Sequence, residues 1–319
     1  MTDLRSKLFS FRAISGIWIF LILSGIGIIS GAFSVFGAET ADVVDYRTFF
    51  GFDPRTTVWI IAELHLMFGA FVLGVPMFAV TVEYVGVLTK EERYDRLAKD
   101  FTRLLSASFA LTAALGGLLT FALFTLYPKV MTFMSGIFHE SFYIYAFFFF
   151  GETFVLYFYY YSWDRLKKRK GIHITAGVLL NIIGLIIMGI SNSWATYMMS
   201  PSGIDPETMK FTGTLMDAIW NPLWNPLNLH RILGNAVFGG YVAGAYAAVK
   251  FLTAQTDEDR AHYDWMGYVG NFIAIVSLLF LPFAGYYLGR EVYSFSPIMG
   301  NNMMGGAFSW TFIIQAIGI

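Results

Sequence analysis

Three of the five histidines lie in apolar segments where they could hold a metal-bearing group. His65 lies about two turns inside one such segment, and His139 and His230 each open another at the same expected end. Imidazole binds haem iron, copper and zinc, and ionisable groups inside a membrane are costly and commonly functional. The three rings therefore predict a metal or cofactor site. The alternative for each is a histidine that hydrogen-bonds in a packed core, and it is strongest for His139, which borders a loop.

The residues around these histidines favour a large flat cofactor over a bare metal ion. Aromatic runs at 147–150 (FFFF) and 157–161 (YFYYY) would form walls for a planar ring. Glycines at 234, 239, 240 and 244 would free one helix face for close approach. Ordinary membrane-helix packing, in which small residues let helices touch, is the alternative explanation.

Carboxylates at several depths predict a proton route. Glu83 follows His65 by 18 residues, which is five helical turns, so the two share a helix face about 27 Å apart. Glu152 lies in the middle of another apolar segment, and Glu140 neighbours His139. Buried carboxylates in a membrane are typical of proton relays. The alternative is a set of interfacial carboxylates, and it is stronger for Glu83 than for Glu152.

The composition indicates which elements must position these residues. The chain has 319 residues, of which 56% are hydrophobic and 13% charged, whereas soluble domains carry about 25% charged residues. This excludes an ordinary cytosolic enzyme, a disordered chain and a disulfide scaffold. The absence of cysteine excludes iron–sulfur ligation, thiolate-bound haem, covalent haem attachment and thiol catalysis. The net charge of −1 gives no reason to expect nucleic acid.

The apolar stretches predict an all-α, polytopic transmembrane helical bundle with about seven or eight membrane helices. A spanning helix needs about 20 mostly apolar residues. The first stretch is too long for a signal peptide, so we expect a retained helix. The last, which ends at Ile319, is too short to cross, so we expect the protein to continue beyond it. The stretches are 13–37, 57–88, 102–127, 138–162, 173–199, 228–252, 264–289 and an incomplete one from 307.

Basic residues predict the orientation in the bilayer, because they collect in cytoplasmic loops. The N-terminus and the loops 90–103, 165–170 and 250–260 are basic and fall on one side, whereas 38–56, 127–136, 200–228 and 289–306 are poor in Lys and Arg. We therefore predict a multi-pass protein of a bacterial or archaeal cytoplasmic membrane, with its N-terminus in the cytoplasm. His173 and His262 then lie at cytoplasmic helix ends, which we interpret as interfacial positions.

An ordered series of motifs resembles subunit I of the bd-type cytochrome quinol oxidases, from about residue 65 to 250. In that family a haem-ligating His precedes a Glu by 18 residues on one helix, as His65 precedes Glu83 here. Segments 109–118 (FALTAALGGL) and 147–167 (FFFFGETFVLYFYYYSWDRLK) resemble the next two helices. The series continues with Asn192-x-Trp194, Glu207-Thr208-Met209, Asn221-Pro222 and His230 followed by GGYVAG. We identify the chain as a divergent, shortened relative.

The resemblance implies specific roles for the candidate residues. His65 would be the axial ligand of a haem in the active-site group, and His230 one ligand of a low-spin haem b. His139 is a third candidate ligand of haem iron. Glu83 and Glu152 would lie on a proton route from the cytoplasm. The resemblance also implies two or more haems, a high-spin haem b or d among them, and a quinone or quinol. Expected partners are other membrane subunits of a respiratory complex, the lipid bilayer, and a cytochrome c or multihaem cytochrome on the outer face.

By this resemblance the chain divides into three parts. Residues 1–56 form an extra N-terminal transmembrane helix and an outer loop. Residues 57–254 form a four-helix haem-binding core with the following helix, and 255–319 form further helices, the last one incomplete.

Departures from the family pattern affect the functional prediction. Ile144 stands where the family has a second Glu beside its oxygen-reactive haem, and Glu140 or His139, one turn away, could substitute for it. The stretch between His230 and the Gly-Tyr-Val motif is longer here. Only 289–306 stands where the family has a long quinol-binding loop. We therefore favour a haem-b electron-transfer subunit over a terminal oxidase that reduces dioxygen to water. A haem-free transporter or scaffold subunit is the alternative from another class.

Overall fold

A computed structural model describes residues 51–305 together with 313 and 314. These residues are almost entirely helical, and they include an isolated β-bridge between Ile204 and Phe211. The helices are α1 (Pro54–Thr89), α2 (Glu92–Leu126), α3 (Pro128–Tyr161), α4 (Lys170–Met199), α5 (Leu215–Ile219), α6 (Trp224–Thr253), α7 (Asp257–Phe295) and α8 (Pro297–Met304).

Six of these helices, α1 to α4, α6 and α7, are long and apolar enough to cross a membrane. Each has between 30 and 39 residues, and about 20 suffice to cross the hydrocarbon layer. The prediction of a polytopic helical bundle is thereby confirmed. The predicted helix at 13–37 lies outside the described residues, and so does nearly all of the predicted helix from 307. The three-part division of the chain stays a prediction.

The helices are longer than the apolar stretches that predicted them. α2 begins at Glu92, within the loop expected at 90–103, and α3 begins at Pro128. The prediction of loops at 127–136 and 289–306 was therefore mostly wrong, because these residues are largely helical. An apolar run marks only the part of a helix that crosses the bilayer, whereas the backbone hydrogen bonds continue through polar residues. The predicted start of α3 coincides instead with a kink at Phe138, whose φ is −102° and ψ 16°.

The described residues form two compact units, and α1, α2 and α3 each contribute to both. The first unit contains 51–69 and 107–136. The second contains 70–106 and 137–305. In the first unit, α1 and α2 pack through small and aliphatic side chains, with the end of α2 and the residue after it completing the core. The core side chains are Val58, Ile61, Leu119, Ala122, Leu126 and Tyr127.

Helices of the second unit pack at places where backbones touch. A Cβ atom on Gly240 of α6 would lie 2.6 Å from the carbonyl oxygen of Gly270 in α7, and one on Gly74 of α1 would overlap the carbonyl oxygen of Asn235. Both contacts are closer than a side chain tolerates, so glycine is required at 74 and 240. These crossings fix α6 against its two neighbours.

The crossing of α6 and α7 gives a stability prediction with a control on the same helix. Gly240→Ala is expected to destabilise the protein by about 1–3 kcal/mol, because the methyl group must push two backbones apart. No described atom lies within 4 Å of a Cβ on Gly234, so Gly234→Ala should gain up to about 1 kcal/mol from helix propensity. Thermal unfolding of both variants in one detergent, followed by circular dichroism, measures the difference. Equal unfolding temperatures would contradict the close crossing.

The connection between α4 and α6 has a defined structure. Asn221 lies at its end and is buried, where its side chain donates to Thr196 Oγ1 at 2.9 Å and accepts from Ser200 Oγ at 3.1 Å. The short helix α5 begins with a capping box, and hydrogen bonds from the backbone and hydroxyl of Thr214 lower the pKa of the Asp217 carboxyl. The connection is thereby tied to the end of α4.

Candidate functional site

His65 is held on α1 in one defined tautomer. Its Nδ1 lies 3.0 Å from the carbonyl oxygen of Thr112 in α2. A carbonyl can only accept a hydrogen bond, so Nδ1 carries the proton and Nε2 carries the lone pair. Histidines that bind metals commonly hold their second nitrogen in this way, which orients the ring. The arrangement suits a ring that would bind iron through Nε2.

A glycine makes room for the His65 ring against α2. A Cβ atom on Gly116 would lie 2.9 Å from Cε1 of His65 and 3.4 Å from its Nδ1. The next residue, Gly117, has no described atom within 4 Å of its Cβ position. Gly116 therefore sets how closely the ring approaches α2, and Gly117 does not.

His230 lies near the start of α6 with its ring along a glycine of α7. A Cβ atom on Gly285 would be 3.7 Å from Nε2 of His230 and 3.6 Å from its Cδ2. The ring is only partly exposed. Glycine at 285 keeps the space beside Nε2 free of an α7 side chain, and Nε2 is an atom through which the ring could bind iron.

Arg231 places a positive charge beside His230 with little to balance it. Its guanidinium donates to the side-chain oxygen of Asn192, which is fully buried and itself donates to Asn228 Oδ1 at 2.8 Å. Within the described part of the chain, Arg231 forms no ion pair. An unpaired cation in a membrane interior is costly. Arg231 and Asn192 therefore suit an anionic group beside His230, and sequence reasoning did not identify either residue in this role.

Glu152 is buried in α3 next to α4. It is 5% exposed, and a Cβ atom on Gly184 would lie 3.3 Å from its Oε1. Among the described residues, Glu152 has no ion-pair partner. The structure thus places this carboxyl in an enclosed position without a compensating cation.

Glu83 lies in a different setting, at the centre of a buried charged cluster. Its side chain accepts from Tyr159 Oη at 2.8 Å, from Lys170 Nζ at 2.9 Å and from His173 Nδ1 at 2.7 Å. Lys170 also pairs with Asp95. We call these five residues the Glu83 cluster. It joins α1, α2, α3 and α4, and Glu83 itself has no exposed side-chain surface.

His173 differs from the interfacial residue that its position beside a basic loop indicated. It is fully buried, and its Nε2 donates to the carbonyl oxygen of Tyr159 at 2.8 Å. Lys170, which also donates to Glu83, lies three residues earlier, so both side chains occupy one helix face. That spacing was the sequence signal for the cluster. It could not be interpreted from the sequence, because the shared partner Glu83 lies far away in the chain.

An open cleft of about 200 Å³ adjoins the Glu83 cluster. Glu83 and Lys170 contribute to its lining, so the buried carboxylate lies next to a surface opening. Its lining is otherwise formed by Gly86, Val87, Lys90, Glu91, Glu92, Asp95 and Lys167.

His139 and Glu140 lie directly after the kink in α3, and both are exposed. The His139 ring meets Tyr143 edge to face at 5.0 Å. Twelve residues of helix, about 18 Å, separate Glu140 from Glu152. Ile144 is 46% exposed. The structure therefore does not bring Glu140 together with Glu152.

Comparison with known proteins places this geometry in context. The family Cytochrome bd terminal oxidase subunit I matches residues 54–306. A putative cytochrome bd menaquinol oxidase subunit I of Bacillus subtilis (strain 168) is 24% identical over 218 residues, which cover 68% of this chain and 47% of the relative. The bd oxidase from Geobacillus thermodenitrificans has a similar fold, with a TM-score of 0.67 and 20% identity over 78% of this chain and 58% of that chain. This chain thus spans about half the length of the curated relative and less than two thirds of the solved one.

Proposed function

Since the chain belongs to the family of cytochrome bd terminal oxidase subunit I, we propose that it is a haem-b electron-transfer subunit of a membrane complex. In this proposal it moves electrons between quinol or quinone, or a partner cytochrome, and haem, with proton uptake from the cytoplasmic side. The observation that supports it most directly is the hydrogen bond from His65 Nδ1 to the Thr112 carbonyl, which leaves Nε2 as the basic nitrogen.

The residues around His230 fit a haem as well. Haem carries carboxylate side chains, and Arg231 is an enclosed guanidinium bound to the Asn192 amide. In our proposal His65 and His230 hold haem iron, and Arg231 pairs with a haem carboxylate. When bound, the haem supplies one-electron transfer at its iron, which the side chains alone do not. The chain's own residues orient the group, exclude water and compensate charge.

A reduced-minus-oxidised absorption spectrum of the purified complex tests the proposal. We expect the bands of haem b, and extraction would show whether a chlorin such as haem d accompanies them. A haem-free preparation would overturn the proposal and would favour the transporter or scaffold alternative.

Gly116 provides a prediction about the His65 site that leaves the ligand itself intact. Gly116→Ala is expected to weaken haem retention about tenfold, because its methyl group displaces the ring from its position against α2, and supporting contacts are worth that much. Gly117→Ala makes the same chemical change next to it and should leave retention unchanged. Haem loss to an excess of apomyoglobin, followed by absorption, compares the two. Equal rates of loss would show that Gly116 does not position the ring.

The charge of Arg231 is expected to affect the reduction potential of the haem that His230 would hold. Arg231→Gln removes a positive charge beside His230, so the more negative, reduced haem is destabilised and its midpoint potential should fall, on the order of 60 mV for each 1.4 kcal/mol lost. Arg231→Lys should retain most of the potential. Redox titration measures both, with Arg290→Gln, an exposed arginine paired with Glu291, as a control for charge. An unchanged potential in Arg231→Gln would contradict the pairing.

Proton uptake is the second part of the proposal. Glu152 supports it because the carboxyl is buried without a cationic partner, and the open cleft beside Glu83 supports it because it gives water a path toward the cluster. Glu140, exposed directly after the kink in α3, is the third proposed member of the route. Other membrane subunits, a cytochrome c or multihaem cytochrome, and the cytoplasmic location of the N-terminus belong to the same proposal.

The family match also supports a second candidate function, reduction of dioxygen to water. Oxygen uptake with a quinol by the purified complex tests it directly. Uptake that is lost in His65→Ala would favour the oxidase, whereas a haem spectrum without oxygen uptake would favour electron transfer alone.

A further inference from the structure

We propose that Glu83 and His173 form a proton-binding site in which the proton resides on His173, so that the ring is an imidazolium paired with a carboxylate inside the protein. This goes beyond the proposed function and does not depend on whether haem binds. The residues involved lie within one compact unit, at the expected cytoplasmic ends of α1 and α3 and the start of α4.

A neutral His173 would carry one ring proton. The contacts of its two ring nitrogens require two protons, one for each nitrogen. Nε2 lies 2.8 Å from the Tyr159 carbonyl oxygen, which can only accept, so Nε2 carries a hydrogen. Nδ1 lies 2.7 Å from Oε1 of Glu83. A lone pair on Nδ1 facing an ionised carboxylate oxygen at that distance would be repulsive. A proton therefore lies between Nδ1 and Oε1.

The other contacts of Glu83 place that proton on the ring. Oε1 also accepts from Lys170 at 2.9 Å, and Oε2 accepts from Tyr159 Oη at 2.8 Å. Two donors besides His173, one of them the Lys170 ammonium, stabilise the ionised form of the carboxyl, which favours the shared proton on the ring. Glu83 is consequently the acceptor in each contact, and His173 donates from both nitrogens.

The charge balance of the cluster leads to the same assignment. Glu83 and Asp95 carry two negative charges, and Lys170 carries one positive charge. An imidazolium at His173 brings the sum to zero, whereas a neutral ring would leave a net negative charge in an enclosed region. Polar groups beside the cluster include the Trp163 Nε1 that donates to Asp95 at 3.2 Å and the Glu92–Lys167 pair at the surface. The Thr102 hydroxyl lies beside Tyr159. Lys90 and Glu91 line the cleft outside the cluster.

Aromatic rings enclose the imidazolium on two sides. The Tyr159 ring stacks on His173 with centroids 4.3 Å apart, and Trp163 meets it edge to face at 4.5 Å. Lys170 Nζ lies 4.6 Å from the centre of the Trp163 ring. Aromatic faces attract cations, most strongly where water is excluded. The enclosure therefore compensates the burial of two positive charges.

The site has one exposed side. Glu83 and Lys170 line the open cleft, and His173 lies behind them with no exposed surface. Of the cluster residues, Glu83, Asp95 and Lys170 line the cleft, and His173 does not. In this pair the proton is bound to His173, and the Glu83 carboxylate beside it stays ionised.

Nitrogen NMR of the full chain in lipid nanodiscs tests this without any substitution. Ile172–His173 is the one Ile–His step in the sequence, so carbonyl-labelled isoleucine with nitrogen-labelled histidine selects His173. We expect both ring nitrogens of His173 to carry a proton at neutral pH, because each of them faces an acceptor. A ring nitrogen without a proton at neutral pH would overturn the proposal.

Two variants separate the role of Glu83 from that of its neighbours. Glu83→Gln removes the negative charge, so His173 should lose its second ring proton and become neutral. Tyr159→Phe keeps both charges, so the imidazolium should persist. An imidazolium that survives in Glu83→Gln would show that Glu83 is not its partner. If Glu83→Gln does not fold, the native measurement and Tyr159→Phe still decide, because loss of the second proton in Tyr159→Phe would contradict the assignment.

Discussion

Replacing His65 with alanine is expected to abolish the absorption of the haem that this ring would hold, and His262→Ala is expected to leave the spectrum unchanged. The His65 ring offers Nε2 as its basic nitrogen because Nδ1 donates to the Thr112 carbonyl. Alanine offers no ligand for iron, so the effect is loss of the group and not a small change in affinity. His262 instead pairs with Asp100 at 2.9 Å, which makes it a matched control.

Two measurements make this result decisive. The pyridine haemochrome content of each purified variant gives the haem per chain, and circular dichroism shows whether the helices remain. His230→Ala, measured in the same series, separates a second haem from the first because a different band should disappear. Full haem content in His65→Ala, with intact helices, would exclude His65 as a ligand.

Replacing Glu83 with alanine is expected to cost about 3–5 kcal/mol of stability, because it breaks a buried ion pair and removes the acceptor of three buried hydrogen bonds. Glu83 has no exposed side-chain surface and accepts hydrogen bonds from three helix-borne residues. Unfolding temperatures in a fixed detergent, read from tryptophan fluorescence, measure the loss.

The control for Glu83 is an exposed carboxylate of the same end of the molecule. Lys99 hydrogen-bonds to Asp164 at 2.8 Å, and this contact lowers the pKa of the Asp164 carboxyl. Since Asp164 is surrounded by solvent, Asp164→Ala should change stability little. Similar unfolding temperatures for the two variants would show that the Glu83 cluster does not hold the helices together.

The existence of the helices could be predicted from the sequence, and their ends could not. Apolar stretches of sufficient length identified all six long helices of the described part of the chain. Glu92 and Pro128 begin their helices well before the apolar stretch because backbone hydrogen bonding is indifferent to side-chain polarity. Hydropathy therefore predicts the bilayer crossing better than it predicts the helix.

The candidate residues were identified from spacing along single helices, and their partners were not. His65 and Glu83 share one helix face, a relation that the helical repeat alone gives. Their contacts come from the Thr112 carbonyl 47 residues away and from Lys170 87 residues away. No local pattern encodes a tertiary contact of that kind. His173 was assigned to an interface for the same reason, because its nearest neighbours in sequence are basic and its partner Glu83 is distant.

The order in which the chain is synthesised determines when the Glu83 cluster can form. Glu83 precedes Lys170 by 87 residues and His173 by 90, so the ribosome completes α1, α2 and α3 before either cation exists. Until α4 emerges, a carboxylate at that depth lacks its counter-charges, and an unpaired charge in a bilayer is costly. The charged end of α1 should then remain near the aqueous surface during synthesis and settle only when α4 arrives.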